Sequence, residues 1–188
     1  MNRIFTRSRR LPRFWRRSLA AFTVIVVVFA IATARVILWP TQGMPPHVDA
    51  IVMMGGPGDR TSVALRLARE QRAPVLLMSR SADDPDPCPT VPGVKIVCFS
   101  PNPVNTRGEA EFASRLAKRY GWHSVVLVTT AEQDTRARLI MGRCYRGSVY
   151  VVTAPLPWLQ LPYQIAYGWG ALFKAQFLVT NCLPRRFT

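Results

Sequence analysis

The sequence predicts an α/β protein: a Rossmann-like, doubly wound, mainly parallel five-stranded sheet behind one N-terminal transmembrane helix. Three observations carry this. From residue 48 onward, short apolar runs alternate with amphipathic stretches, the pattern of strands joined by crossover helices. The strand-like runs, such as Ile51-Val52-Met53-Met54 and Val125-Val126-Leu127-Val128, are apolar without strict alternation, as in a sheet covered on both faces. Ahead of them, residues 19–34 carry no charge and follow an arginine-rich head.

The head, residues 1–17, holds Arg3, Arg7, Arg9, Arg10, Arg13, Arg16 and Arg17, seven of the 25 basic residues. Positive flanks stay in the cytoplasm, so the head is expected inside and the domain outside the cytoplasmic membrane. The same arginines suit anionic lipid headgroups, each adding about 1 kcal/mol near the surface. Setting them and Arg35 aside leaves 17 basic against 10 acidic residues, an ordinary balance that removes nucleic acid as the expected partner of a +15 chain.

The uncharged run rises about 24 Å as a helix, and continuing it through Trp39 reaches the roughly 30 Å of a hydrocarbon core. Residues 18–39 are therefore expected as a retained anchor, with Arg35 snorkelling beside Trp39. The competing expectation is a cleaved signal ending at Ala32-Thr33-Ala34, a small-x-small site. All four cysteines, Cys88, Cys98, Cys144 and Cys182, follow this segment, and an even number in an oxidising compartment reads as two disulfides. Three connectivities are possible, of which Cys88 with Cys98, closing a short Pro-rich loop, and Cys144 with Cys182, tying down the chain end, is favoured; buried free thiols are the alternative.

Residues 40–47 carry three prolines and no periodicity, so they are expected as a stiff linker to one domain over 48–188. Within it, strands are expected at 49–54, 74–79, 94–99, 124–130 and 148–153, and helices at 60–71, 106–120 and 132–144. The segment 81–92 has too many prolines for a helix and is expected as a loop at the active end of the sheet. The last segment, 159–179, places Ile165, Trp169, Phe173 and Phe177 four residues apart, which predicts an amphipathic helix packed on the core. Its Trp158, Tyr163, Tyr167 and Trp169 also suit a face that docks on other proteins.

Ligands of open parallel sheets bind beyond the carboxyl ends of the strands, which directs attention to the turns there. After the first strand, Gly55-Gly56-Pro57-Gly58-Asp59-Arg60 can bring backbone N–H groups to an anion at a helix N-terminus, with Arg60 beside it. The dinucleotide spacing is missing, and Ser79 and Arg80 end the second strand where an acidic residue would be needed. After the third, Asn105-Thr106-Arg107-Gly108-Glu109 reads as a helix start with Thr106 as N-cap and Glu109 closing a capping box. After the fourth, Thr129-Thr130-Ala131-Glu132-Gln133-Asp134-Thr135-Arg136 offers hydroxyls and a carboxamide, with Arg136 converging on Arg60.

Together the opening Asp49-Ala50-Ile51-Val52-Met53-Met54-Gly55-Gly56, the Asn105-Thr106-Arg107-Gly108-Glu109-Ala110 start and Val128-Thr129-Thr130 followed by Arg136-Ala137 resemble the YdcF-like envelope proteins, the ElyC-like and SanA-like family. The resemblance covers about residues 48–152. It implies a Rossmann-like domain, often behind one membrane anchor, associated with envelope integrity and with peptidoglycan or its lipid-linked precursors, with no settled reaction. The family usually has a histidine three residues before the arginine matching Arg136; here Gln133 stands there, and glutamine cannot exchange a proton near neutral pH.

His47 and His123 fall at the other edge of the sheet and are read as surface residues. The spacing of Asp59, Asp83, Asp84, Glu109 and Asp134 marks no metal site, no nucleophile elbow is present, and the cofactor is left open. The expected ligand site comprises Gly55, Gly56, Asp59, Arg60, Asn105, Thr106, Glu109, Thr129, Thr130, Gln133 and Arg136. The expected partners are membrane lipid and an anionic envelope small molecule or lipid-linked precursor. The alternative is a transferase or hydrolase on such a precursor with Glu109 as base. The oligomeric state is left open.

Overall fold

The computed structural model describes residues 13–40, 43–84 and 86–182. The first twelve residues of the head, and with them Arg3, Arg7, Arg9 and Arg10, lie outside the described residues.

Five strands, β1 (Ala50–Met53), β2 (Val75–Ser79), β3 (Lys95–Phe99), β4 (Ser124–Thr130) and β5 (Ser148–Ala154), form one parallel sheet in the order β3-β2-β1-β4-β5. The Rossmann-like expectation is met. β1 is buried along its whole length and lies between β2 and β4, where the chain reverses its direction of travel across the sheet.

Helix α2 (Arg60–Arg69) covers one face, where Val63, Ala64 and Leu67 meet Ile51, Met53, Leu76 and Val126. Helices α3 (Thr106–Tyr120) and α4 (Ala131–Cys144) cover the other, where Ala110, Ala113, Ala137 and Met141 meet Val52, Leu77, Val125 and Leu127. Adjacent strand residues thus feed two cores, which is why the strands read as continuous apolar runs. Among its described residues the β2–β3 connection holds no helix, as its prolines dictate, and it is closed by the Cys88–Cys98 disulfide.

Helix α1 (Arg13–Thr33) continues through a π-helical turn, Ala34–Leu38, and the stretch Phe14–Leu38 is long and apolar enough to cross a membrane. Its C-terminal end is fastened to the domain: Ile37 is buried, and Thr135 Oγ1 donates to the Val36 carbonyl at 2.6 Å. The expected stiff linker is also fastened. Gly43 bridges Val151 on the β5 edge, Met44 packs against the core, and Arg72 donates to the Pro45 carbonyl.

Helix α5 (Leu161–Phe177), which follows a short 3-10 turn at Trp158–Gln160, forms as expected, but its aromatic side faces out. Phe173 and Phe177 are 62 % and 63 % exposed, while Gln164, Gly168 and Ala175 are buried. Small residues let α5 approach closely: a Cβ on Gly168 would lie 3.3 Å from the Glu132 carbonyl oxygen. The large rings, which would hold the helices apart, are left on the open side. The Cys144–Cys182 disulfide ties the end of this segment to α4.

Candidate functional site

The carboxyl ends of the strands border a cleft of about 1190 Å³. Its floor is the turn after β1 and the end of β2; its walls are the Pro-rich β2–β3 loop, the start of α3, the first turns of α4, and one flank of α5. Of the expected site residues, Gly55, Gly56, Arg60, Asn105, Thr106, Glu109, Gln133 and Arg136 border it. Asp59, Thr129 and Thr130 do not.

Asp59 and Thr130 are engaged elsewhere. Asp59 caps α2, accepting from the Ser62 N–H, and borders a separate shallow hollow with Pro155 and Pro157. Thr130 is fully buried; its hydroxyl accepts from Arg60 Nη2 at 2.9 Å and donates to Glu132. Thr129 is fully buried as well. β4 continues through both residues, and the Thr129 hydroxyl has no hydrogen-bond partner among the described residues.

Arg60 is the largest correction. Although it borders the cleft, only 2 % of it is exposed. Its guanidinium folds back over its own turn, donating from Nε to the Pro57 carbonyl at 2.8 Å and from Nη1 to the carbonyls of Met54, at 3.0 Å, and Gly55. With the Thr130 bond, four of its five donors are committed to protein acceptors. Burial lowers its pKa to about 10 against the opposing pull of Glu132 and Glu109. Arg60 therefore braces the glycine turn, where Gly56 and Gly58 adopt φ of +123° and +93°.

Glu109 is also repositioned. The N-cap of α3 is Asn105, whose side chain accepts from the N–H groups of Arg107 at 3.0 Å and Gly108 at 3.2 Å. With the cap one residue earlier than expected, Glu109 falls at the fourth helical position and faces the sheet, so no capping box forms. It accepts the Gly55 N–H at 2.6 Å and a hydrogen bond from Ser79. Burial raises its pKa, opposed by Ser79, Gly55, Arg60 and Arg136. Gln133 is buried against Gly56, with Nε2 3.2 Å from where a Cβ there would stand.

Of the two arginines that the turns suggested, Arg60 is drawn back into the protein and Arg136 is left to the cleft. Arg136 borders the cleft with its guanidinium 5.6 Å over the Tyr167 ring, and its buried Nε has no hydrogen-bond partner among the described residues. Arg107, a part of the helix-start motif that was not singled out, has a buried Nε in the same condition. Lys174 comes from α5. Arg80 is occupied, pairing with Asp84 at 2.6 Å and holding the Asp86 carbonyl. The Lys174 and Tyr167 contributions had no sequence signal, because nothing in the periodicity of α5 says which flank meets the sheet end.

His47 and His123 are exposed, at the opposite ends of the strands from the cleft. Among the described residues no group of three or more His, Cys, Asp or Glu is placed to hold a metal ion. The arrangement offers two guanidinium groups, an ammonium and a glycine turn to one cleft, a donor set matched to a carboxylate or phosphate. No protein-family model, curated protein or solved structure matches the chain.

Proposed function

We propose that the chain is a single-pass membrane protein, N-terminus cytoplasmic, whose extracytoplasmic YdcF-like domain binds an anionic, phosphate-bearing envelope ligand in the cleft. The carrying observation is the pair of buried Nε groups, of Arg107 on α3 and Arg136 on α4, that border the cleft without hydrogen-bond partners among the described residues. Buried donors without acceptors are costly, and an oxyanion would satisfy both. The arginines before the anchor and the two disulfides after it support the sidedness. The resemblance of the β1, α3 and α4 motifs supports a role in cell-envelope and peptidoglycan integrity.

The test is binding of a polyprenyl phosphate, against the uncharged polyprenol, to the full chain in lipid nanodiscs. Each lost charge-assisted hydrogen bond is worth roughly 1.5–3 kcal/mol, so Arg107→Ala and Arg136→Ala should each weaken phosphate binding about 10–100-fold. Equal affinity for phosphate and alcohol in the parent chain would exclude the reading.

A transferase or hydrolase acting on a phosphorylated or lipid-linked precursor is favoured by one observation: Glu109 is a cleft carboxyl with a raised pKa near Arg60 and Arg136. That environment suits proton transfer. If it is the base, Glu109→Gln abolishes turnover while leaving ligand affinity and fold in place.

A further inference from the structure

Helix α5 packs on α4 through Gly168 and turns its remaining flanks three ways. Toward the anchor, Trp169 Nε1 donates to Thr33 Oγ1 at 3.2 Å, and its ring stacks on Phe29 with centroids 5.5 Å apart. Toward the cleft it turns Tyr163, Tyr167 and Lys174. Between those flanks Phe173 and Phe177 stand exposed, tilted against each other at 4.8 Å, with Leu178 beyond them. Lys174 is the one charged residue of the helix.

The height of this helix follows from its contact with α1. Arg16 and Arg17 fix the inner boundary of the span, and at about 1.5 Å per residue Thr33 stands about 24 Å above Arg17, inside a hydrocarbon core of roughly 30 Å. A helix hydrogen-bonded to Thr33 and stacked on Phe29 is held at the level of the outer leaflet. Its exposed rings continue the apolar surface of α1, where Phe22 and Phe29 are themselves exposed. An aromatic face with one lysine able to snorkel is the composition of a helix lying in a bilayer interface.

We infer that the exposed face of α5 is buried in the headgroup and acyl boundary of the leaflet into which α1 emerges, so that the cleft opens at the lipid surface. The occupant of the face is lipid rather than another protein, because the face is continuous with the membrane span. This inference rests on the anchor reading above. Its consequence is that an amphiphile can put its anionic head among Arg107, Arg136 and Lys174 without its tail leaving the bilayer.

The experiment uses the full chain in phosphatidylglycerol–phosphatidylethanolamine nanodiscs, spin-labelled one site at a time after Phe173→Cys, Phe177→Cys, Val26→Cys or Tyr120→Cys. Tyr120 is exposed and lies at the opposite ends of the strands from the cleft. The ratio of relaxation by oxygen to relaxation by a nickel chelate reads depth. Labels at 173 and 177 should give a ratio several-fold above that at 120, approaching that at 26. A ratio at 173 and 177 equal to that at 120, with 26 reading as lipid, overturns the inference and spares the anchor. An aqueous reading at 26 overturns both. Exclusion of both relaxants at 173 and 177 means that protein covers the face, and also overturns it. The unsubstituted chain gives an independent check: lipids with a photoreactive group near the headgroup should form adducts on 173–178, and adducts confined to α1 would count against the inference.

Discussion

The Glu109 carboxylate accepts the Gly55 backbone N–H at 2.6 Å, so the first turn of α3 holds the turn that follows β1. Through this bond, with Ser79 on the same carboxyl, three segments that reach the cleft from β1, β2 and α3 meet at one side chain. A glutamine can keep both interactions, since its carbonyl accepts from Gly55 and its amide donates to Ser79. Glu109→Ala leaves the Gly55 N–H without a partner and should cost about 1–3 kcal/mol, whereas Glu109→Gln should stay within about 1 kcal/mol of the parent. Thermal unfolding of the detergent-solubilised chain measures both, and equal losses would show that the charge rather than the acceptor matters.

The pH dependence of that comparison has a definite sign. Burial raises the Glu109 pKa above its ordinary 4.5, so the folded state holds this proton more tightly than the unfolded one. Stability from this group is therefore greatest at low pH and falls as pH rises from the ordinary value through the raised one. Glu109→Gln removes the titration, and the difference between variant and parent should move in favour of the variant over that window. Paired unfolding curves between pH 4 and pH 8 measure this, and a flat difference would mean that the carboxyl has its ordinary pKa.

Arg60 and Arg136 should separate cleanly. Arg60→Ala strips partners from the carbonyls of Met54, Gly55 and Pro57 and removes a buried charge that faces Glu132 and Glu109, a loss of roughly 3–5 kcal/mol. Arg136→Ala gives up the contact with the Tyr167 ring, worth about 0.5–1 kcal/mol, and should leave the fold intact while removing an anion ligand. Denaturant titration of both variants measures the contrast; similar losses would place Arg136 in the same bracing network.

What the sequence made legible follows from local physics. Strand runs, turn glycines and the prolines of 81–92 act within a few residues, so β1 through β5 and the helix-free β2–β3 connection could be read directly. The position of the cleft was legible too, because open parallel sheets leave a crevice beyond the strand ends. The roles of its residues were not. Arg60 reads as a free cation until its guanidinium is seen folded onto the carbonyls three to six residues before it. Glu109 reads as a capping residue until Asn105 takes the cap. The outward side of α5 depends on Gly168 meeting α4 and on Trp169 meeting α1, long-range contacts that periodicity does not encode.

Gly108 carries the last prediction. It is the fourth residue of the Asn105-Thr106-Arg107-Gly108-Glu109 start and lies in a helix, so its φ needs no glycine. Space does: a Cβ at this position would stand 2.1 Å from the Pro103 carbonyl oxygen and 3.0 Å from the Asn102 carbonyl carbon, both backbone atoms. Since Pro103 and Val104 border the cleft beside Arg107, Gly108→Ala must move the loop or the helix start, and either displaces the Arg107 guanidinium. The substitution should therefore destabilise by roughly 1–3 kcal/mol, as overpacking does, and should weaken phosphate binding as much as Arg107→Ala. Gly121→Ala, in the left-handed cap of the same helix, should cost stability without touching binding, since its Cβ meets nothing within 4 Å. Comparing the two variants for unfolding and for phosphate affinity separates a steric requirement at the cleft from a general weakening of α3. Unimpaired binding by Gly108→Ala would show that Arg107 is not held by that contact.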